Sequence, residues 1–340
     1  MKRVVLLMRS WWGVFLLLGG VLLSFGHVLW GGKAFYGGDI ARIYLPQRVA
    51  LWQALRQGRI PWWSTQVGIG YPLLAEGEMG ALYPLNWLCV LLPSAAMSLD
   101  CTIILHYLLA ALGMYLFARE WGLARGAACL GGLAFSLGGF VIAHLSHVSI
   151  LCTVAWLPWA FFFCQRLFTG RARWGVALAF VVGLQGLAGH PQIFLLNLFA
   201  LVGYALFVAY QKGFRRHLGR LSLFGGSLLL GLGLGAAQLL PSAELSLLSQ
   251  RGRGLDEAFF TSYSYHPLLL VTYFSPFLMG NPYPEGSVEL MTYLGMLPLA
   301  LALVALRGAR RGPQRFFVGL GALGALLAFG RWNPLYRFLR

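Results

Sequence analysis

The sequence predicts an all-α fold: a polytopic transmembrane helical bundle of about nine spans with two long extracytoplasmic loops. Two observations predict it. Of 340 residues, 59% are hydrophobic and 11% charged, with a mean hydropathy of +0.71, whereas a soluble domain carries about 25% charged residues. Too little polar surface exists to cover a water-soluble globule, and apolar runs near the ~20 residues that cross a bilayer recur along the chain. The second observation is charge placement. With the N-terminus inside, Lys2, Arg3 and Arg9, then Arg119 and Arg125, Arg166, Arg171 and Arg173, Lys212, Arg215, Arg216 and Arg220, and finally Arg307, Arg310, Arg311 and Arg315 all fall on the cytoplasmic side. Those are 16 of the 26 basic residues, set against one acid, Glu120. Basic connectors at alternate crossings are what the positive-inside rule requires.

The spans are drawn at roughly 10–30, 97–118, 127–143, 149–167, 174–189, 191–210, 221–240, 290–306 and 316–330. Leu16 to Trp30 runs on without a small-residue cleavage site, so the first span is read as an anchor. Pro84 to Pro93 is apolar but too short to cross, and is expected to dip into the interface. The pI near 10.2 comes from short loops between spans, which points to topology and anionic lipid rather than nucleic acid. Cys89, Cys101, Cys129, Cys152 and Cys164 lie in apolar segments with no C-x-x-C pair, so they are read as small packing residues, with no disulfide framework and no zinc site.

Residues 1–340 are expected to form a single membrane domain with two outer loops, 31–96 and 241–289. Long structured loops are usually functional. Within the first, residues 44–57 have the pattern of an interfacial amphipathic helix: Tyr44, Leu45, Val49, Leu51, Trp52 and Leu55 share a face, and Pro46 is tolerated in the first turn. Arg48 and Arg56 fall on or beside that face, where they are expected to snorkel to phosphate level. Gly58 then ends the helix and Pro61-Trp62-Trp63 follows as an aromatic anchor. The second loop mixes acids, arginines and tyrosines without metal-ligand spacing; Asp256 and Glu257 are adjacent, so no metal site or other cofactor is predicted and a divalent cation has no support.

The spans carry only neutral polar groups such as His106, Gln185, Asn197 and Gln238. Ion-coupled transport normally needs intramembrane charge, so chemistry is expected at the outer interface. Asp39 makes the strongest case. It lies just beyond the first span, behind Gly37 and Gly38, whose free backbone lets a carboxylate be aimed. Arg42, Arg48 and Arg56 follow as cations for a phosphate, and a base beside such an array suits group transfer at a membrane surface. The alternative for Asp39 is a helix cap paired with Arg42. His190, in the tight turn Gly189-His190-Pro191, reads either as a turn residue or as a binder of an anionic substrate. His144 and His147 flank a turn with no third ligand in sequence reach.

The stretches GGDIARIYLP, GRIPWWSTQVGIGYPLLAEGEMGALYPLNWL, AGHPQ and PSAELSLLSQRG together resemble the YfhO family of bacterial membrane proteins, over nearly the whole chain and in order. That family is similar to the GT-C glycosyltransferases. The resemblance implies a GT-C-like fold in the bacterial cell membrane. It also implies an inverting transfer of sugar from a polyprenyl-phosphate-linked donor, among membrane lipids, to a cell-envelope polymer such as teichoic acid, or to a lipid. Such enzymes place an essential acid in the first outer loop, the position of Asp39, and often use a second, for which Glu76, Glu78 and Asp100 are the candidates. Members are commonly longer, so the expectation is an N-terminal fragment of a longer protein. Two rival readings are a lipid or polymer flippase, which would show a polar groove through the spans, and a non-catalytic envelope assembly protein, which would tolerate loss of Asp39.

Overall fold

In the computed structural model of the chain, residues 2–253, 257–280, 290–308 and 312–339 are described. They divide into two compact units, Met1–Leu137 with Leu145–Ser246, and Gly138–His144 with Leu247–Arg340. Among the described residues the regular elements are all helices, joined by turns and loops, with one isolated β-bridge between Ser64 and Tyr71.

The first unit holds α1 (Lys2–Ser24), α2 (Leu45–Arg56), α3 (Pro84–Val90), α4 (Ala95–Glu120), α5 (Arg125–Ser136), α6 (Val148–Val154), α7 (Leu157–Thr169), α8 (Trp174–Leu187), α9 (Pro191–Gln211) and α10 (Leu218–Leu248). Helix α4 is the centre: α1, α2, α3, α5, α6 and α7 all pack on it. It starts at Ser94, whose hydroxyl accepts the Met97 amide and satisfies one orphan donor of the first turn. Its C-terminal end is tied by Glu120, which pairs with Arg166 at 2.6 Å.

Five helical stretches are long and apolar enough to cross a membrane: Ala95–Glu120, Arg125–Ser146, Val148–Thr169, Pro191–Gln211 and Phe214–Leu248. Four shorter apolar helices, Trp12–Ser24, Trp174–Leu187, Met296–Arg307 and Pro313–Ala328, fall where the other four spans were drawn. The outward face of α9 carries Leu195, Leu196, Phe199 and Leu206, all about half exposed or more, while Phe194, Asn197, Leu201, Tyr204 and Val208 face the bundle. That is the helical period of a lipid-facing surface rather than a wet one.

Several boundaries differ from the sequence reading. The span drawn at 149–167 is broken between α6 and α7, because Pro158 has no N–H to give the Val154 carbonyl. Helix α10 was expected to stop at residue 240. It continues through Pro241 to Leu248, so the second outer loop starts eight residues later than drawn. Buried Gln238 spans the proline, donating to the Ser242 hydroxyl and to Leu74 O. In the second unit, Tyr265 is a buried hub. Its hydroxyl bonds Leu269 O, Thr272 and Thr292, and its amide bonds Ala328 O at the end of the Pro313–Ala328 helix. Asp256 lies outside the described residues.

The neutral polar groups inside the spans are bundle contacts, as expected where lipid offers no partner. His106 takes the Tyr83 hydroxyl at Nε2 (2.7 Å) and meets Thr102 O at Nδ1 (2.6 Å), while Trp156 donates to Tyr83. Asn197 donates to Gln185 at 2.7 Å.

Candidate active site

The loop that follows the first apolar helix, residues 31–96, folds back on itself. After α1 the chain turns through Gly37 (φ +105°) and Gly38 (φ +52°), a bend only glycine takes without strain. Asp39 comes next, at the head of a helix that starts earlier than the 44–57 pattern predicts. Residues Ile40–Tyr44 form a π-turn in which the Leu45 amide reaches Ile40 O, and α2 follows directly. Pro46 explains the irregularity: it lacks the N–H that an α-helix would bring to Arg42 O.

Helix α2 is a protein-packed helix. Tyr44, Arg48 and Leu51 are buried, whereas Val49 is 37% exposed. Leu51 joins Leu73, Leu74, Met79, Ala81 and Val90 in one apolar cluster, with Trp52 and Leu55 against it. Arg48 therefore does not snorkel. It is 3% exposed and donates through Nη2 to Asn86 Oδ1 at 2.9 Å. Asn86, from the YPLNWL stretch, supplies the acceptor that draws the guanidinium inward, and its own Nδ2 bonds Met79 O and Gly80 O.

Asp39 sits in the N-cap position with helical backbone angles, and its side chain makes no capping bond. Its carboxylate pairs instead with His147: Oδ2 lies 3.3 Å from Nε2, with the side chains 37% and 21% exposed. The sequence reading passed over His147 because its partner is 108 positions away. Glu78 lies close behind. It lines one small cavity with Tyr44, and its acid responds to Tyr44 and to the charges of both Asp39 and His147. Burial holds its acid above the usual carboxylate range, Asp39 pushes the same way, and Tyr44 and His147 oppose. Glu76 is one step further in, accepting the Glu78 amide at 3.1 Å and Gln47 Nε2 at 3.3 Å. Burial, with the charge of Glu78, pushes Glu76 up to about 7. Tyr44 is fixed from the other side by the Ser149 hydroxyl at 2.9 Å.

Of the three candidate second acids, the structure thus brings Glu78 to Asp39, with Glu76 behind it. Asp100 is elsewhere, at the head of α4, where it accepts the Phe35 amide at 3.1 Å. Of the three arginines, Arg42 is exposed one turn after Asp39. Arg56 is exposed and stacked over Trp52 at 4.4 Å, roughly 20–25 Å along the helix from Asp39 at ~1.5 Å per residue. His190 caps α9, accepting the Ile193 amide at Nδ1 (3.2 Å). Its turn touches the acid loop: a Cβ on Gly189 would meet Gly77 O at 2.0 Å.

Two cavities adjoin the acids. One, of about 10 Å³, is lined by Tyr44, Gln47, Arg48, Glu78, Asn86 and Ser149 among others, room for about one water. The other is an open groove of about 580 Å³, within the usual range for a ligand site. Val28, Leu29, Leu92, Met97, Ile104 and Leu108 make it apolar, and Lys33 and Asp100 stand on it. Ala34, on its wall, is five residues before Asp39, at most about 18 Å of chain.

Glu76 carries a pH prediction. Its native acid constant near 7 lies above its ordinary 4.5, so the folded state keeps a proton the unfolded chain gives up. The stability this contributes is full below about pH 4.5 and is lost as pH rises through 7. Glu76→Gln, permanently neutral, is expected to lose less melting temperature than the wild type between pH 5 and pH 8 in detergent. Parallel pH profiles would show that Glu76 is ionised in the fold.

A bundle of apolar helices with lipid-facing surfaces, carrying acids and a histidine on a folded loop, defines a multi-pass helical membrane protein. The chain belongs to the YfhO family: the family profile described as bacterial membrane protein YfhO matches residues 13–339. No curated protein and no solved structure matches the chain.

Proposed function

We propose that this protein transfers a sugar from a polyprenyl-phosphate carrier to a cell-envelope polymer or lipid on the extracytoplasmic face, with Asp39 as the base that takes the acceptor's proton. The observation that carries the reading is the Asp39–His147 pair beside Glu78, partly exposed on the loop that follows the first apolar helix. His147 holds one carboxylate oxygen, which leaves Oδ1 for a substrate hydroxyl. As the hydroxyl attacks the anomeric carbon, its proton passes to Asp39 and the carrier phosphate departs. Arg42, one turn away, is the nearest of the arginines for that phosphate, with Lys33 at the groove as a second cation. Arg48 acts from within, by fixing the loop that bears Glu78.

The apolar groove suits the carrier's hydrocarbon chain, and it lies on the segment that leads to Asp39, which supports the reading. The test is direct. The purified chain in vesicles loaded with a polyprenyl-phosphate sugar is expected to release polyprenyl phosphate when an envelope acceptor is added. Movement of the intact donor across the bilayer without release would favour a flippase instead, and neither result would favour a non-catalytic assembly protein.

A further inference from the structure

The helix that the sequence places along the membrane surface, α2, is packed on protein, and the apolar surface left bare lies just beyond it. Residues 60–75 carry no charged side chain. Within them Trp62, Trp63 and Val67 are 63%, 58% and 52% exposed, and Ile69 is fully exposed. Several large apolar side chains bared on one short segment mark an interaction surface. The two arginines that precede the segment, Arg56 and Arg59, are exposed, and no acid stands between Asp39 and Glu76.

The segment has a frame of its own. Ser64 and Tyr71 exchange both backbone hydrogen bonds at 2.8 Å, the Gly70 amide reaches Val67 O at 3.0 Å, and the Gln66 amide bonds the Ser64 hydroxyl at 3.2 Å. Trp63 lies against the turn: a Cβ on Gly70 would meet its indole at 2.6 Å. The base is held by the Leu74 amide, which bonds Trp62 O at 3.3 Å, and by Leu73 and Leu74 in the apolar cluster with Leu51 and Val90. Val67 and Ile69 are therefore presented on a closed turn whose base is fixed to the bundle.

We infer that residues 60–71 form a wedge that inserts Trp62, Trp63, Val67 and Ile69 into the head-group layer of an anionic bilayer, with Arg56 and Arg59 meeting lipid phosphates. Chemistry selects this occupant. Tryptophan favours the membrane–water interface. Exposed charge of one sign beside an apolar tip is complementary to anionic lipid, whose surface attracts basic side chains. A chain already held in a bilayer by its spans has that surface at hand. The turn closes only part of its backbone hydrogen bonds internally, so it stops at the boundary of head groups and acyl chains, where water still reaches the remainder. Glu76 follows Tyr71 by five positions, so the wedge also sets the height of the acid loop against the phosphate layer. None of this depends on the transfer reading.

The test places a nitroxide at Ile69→Cys in the full chain, reconstituted in vesicles of phosphatidylcholine alone or mixed with phosphatidylglycerol. The unsubstituted chain, carried through the same labelling, gives the background. Depth is read from relaxation by oxygen against relaxation by a water-soluble nickel chelate. Labels at Lys212→Cys, exposed at the end of α9, and Phe199→Cys, on its lipid-facing side, give the two references. The Ile69 label is expected to read between them and to move deeper when phosphatidylglycerol is present. Arg56→Gln with Arg59→Gln should abolish that deepening. A label that reads like the Lys212 reference in both kinds of vesicle would overturn the inference. So would a depth indifferent to phosphatidylglycerol, or a label immobilised only when a soluble envelope glycopolymer is added, which would make the patch a polymer-docking surface. If the arginine variant differs from the wild type in size-exclusion profile, the comparison of the two vesicle types decides alone.

Discussion

Asp39→Asn is expected to leave expression and membrane assembly intact and to remove most sugar transfer, by about 10²-fold or more if general-base catalysis has its usual weight. The substitution keeps the shape and one acceptor oxygen for His147. It removes the ability to take a proton. Asp39 makes no capping bond, so the helix start does not depend on its charge. What holds that start is the glycine bend before it and the burial of Ile40 and Tyr44 after it. The measurement is transfer rate against melting temperature. A normal melting temperature with near-normal transfer would mean that the pair with His147 is structural, and the base assignment would fail. The chemistry asks for two unlike groups at membrane level: an acid for the attacking hydroxyl and cations for the departing phosphate. The loop after the first apolar helix presents both within one helical turn, at Asp39 and Arg42.

Gly189→Ala is expected to be the most damaging conservative change in the site. Gly189 has φ +92°, which costs an alanine ~1–3 kcal/mol in backbone strain. The added Cβ would also lie 2.0 Å from Gly77 O and press on the Glu78 backbone. The neighbour is main chain, so it cannot swing aside. Either the turn before α9 or the acid loop must move, and Glu78 moves with it. A clear fall in melting temperature together with loss of transfer is the expected result. Gly19→Ala is the control, since it sits in α1 with no heavy atom within 4 Å of the new Cβ and ordinary helical angles. There the change should be neutral or slightly stabilising. If Gly189→Ala behaved like Gly19→Ala, the turn and the acid loop would not be locked together.

These two residues mark how much of the site was legible in the linear chain. Asp39 was conspicuous because an acid behind two glycines after an apolar run is rare. Gly189-His190-Pro191 was legible as a turn from local chemistry. What the turn touches was not, because Gly77 is more than a hundred positions away. His147 was missed for the same reason: one histidine beside a turn carries no sign of an acid across the bundle. The arginines of α2 were placed by helical period alone. That reading put Arg48 at the rim, where its stem would lie in lipid. It could not see that Asn86 offers a carboxamide oxygen inside, so the residue that seemed most superficial is among the most buried.

The linear chain by itself determined the class. Charge scarcity, apolar runs and the alternation of basic connectors are properties of composition and order, and the bilayer acts on them one segment at a time. Helix existence follows for the same reason, since every backbone hydrogen bond of a span is closed within the span. Only the tertiary structure decided where helices break or run on, as at Pro158 and Pro241, because a proline removes one bond and its neighbours decide whether that is repaired. It also decided which polar groups meet. Asp39 reaches His147, Arg48 reaches Asn86 and Gln238 reaches Leu74 because segments far apart in sequence pack side by side. Those contacts depend on non-local packing, which no local pattern of residues encodes.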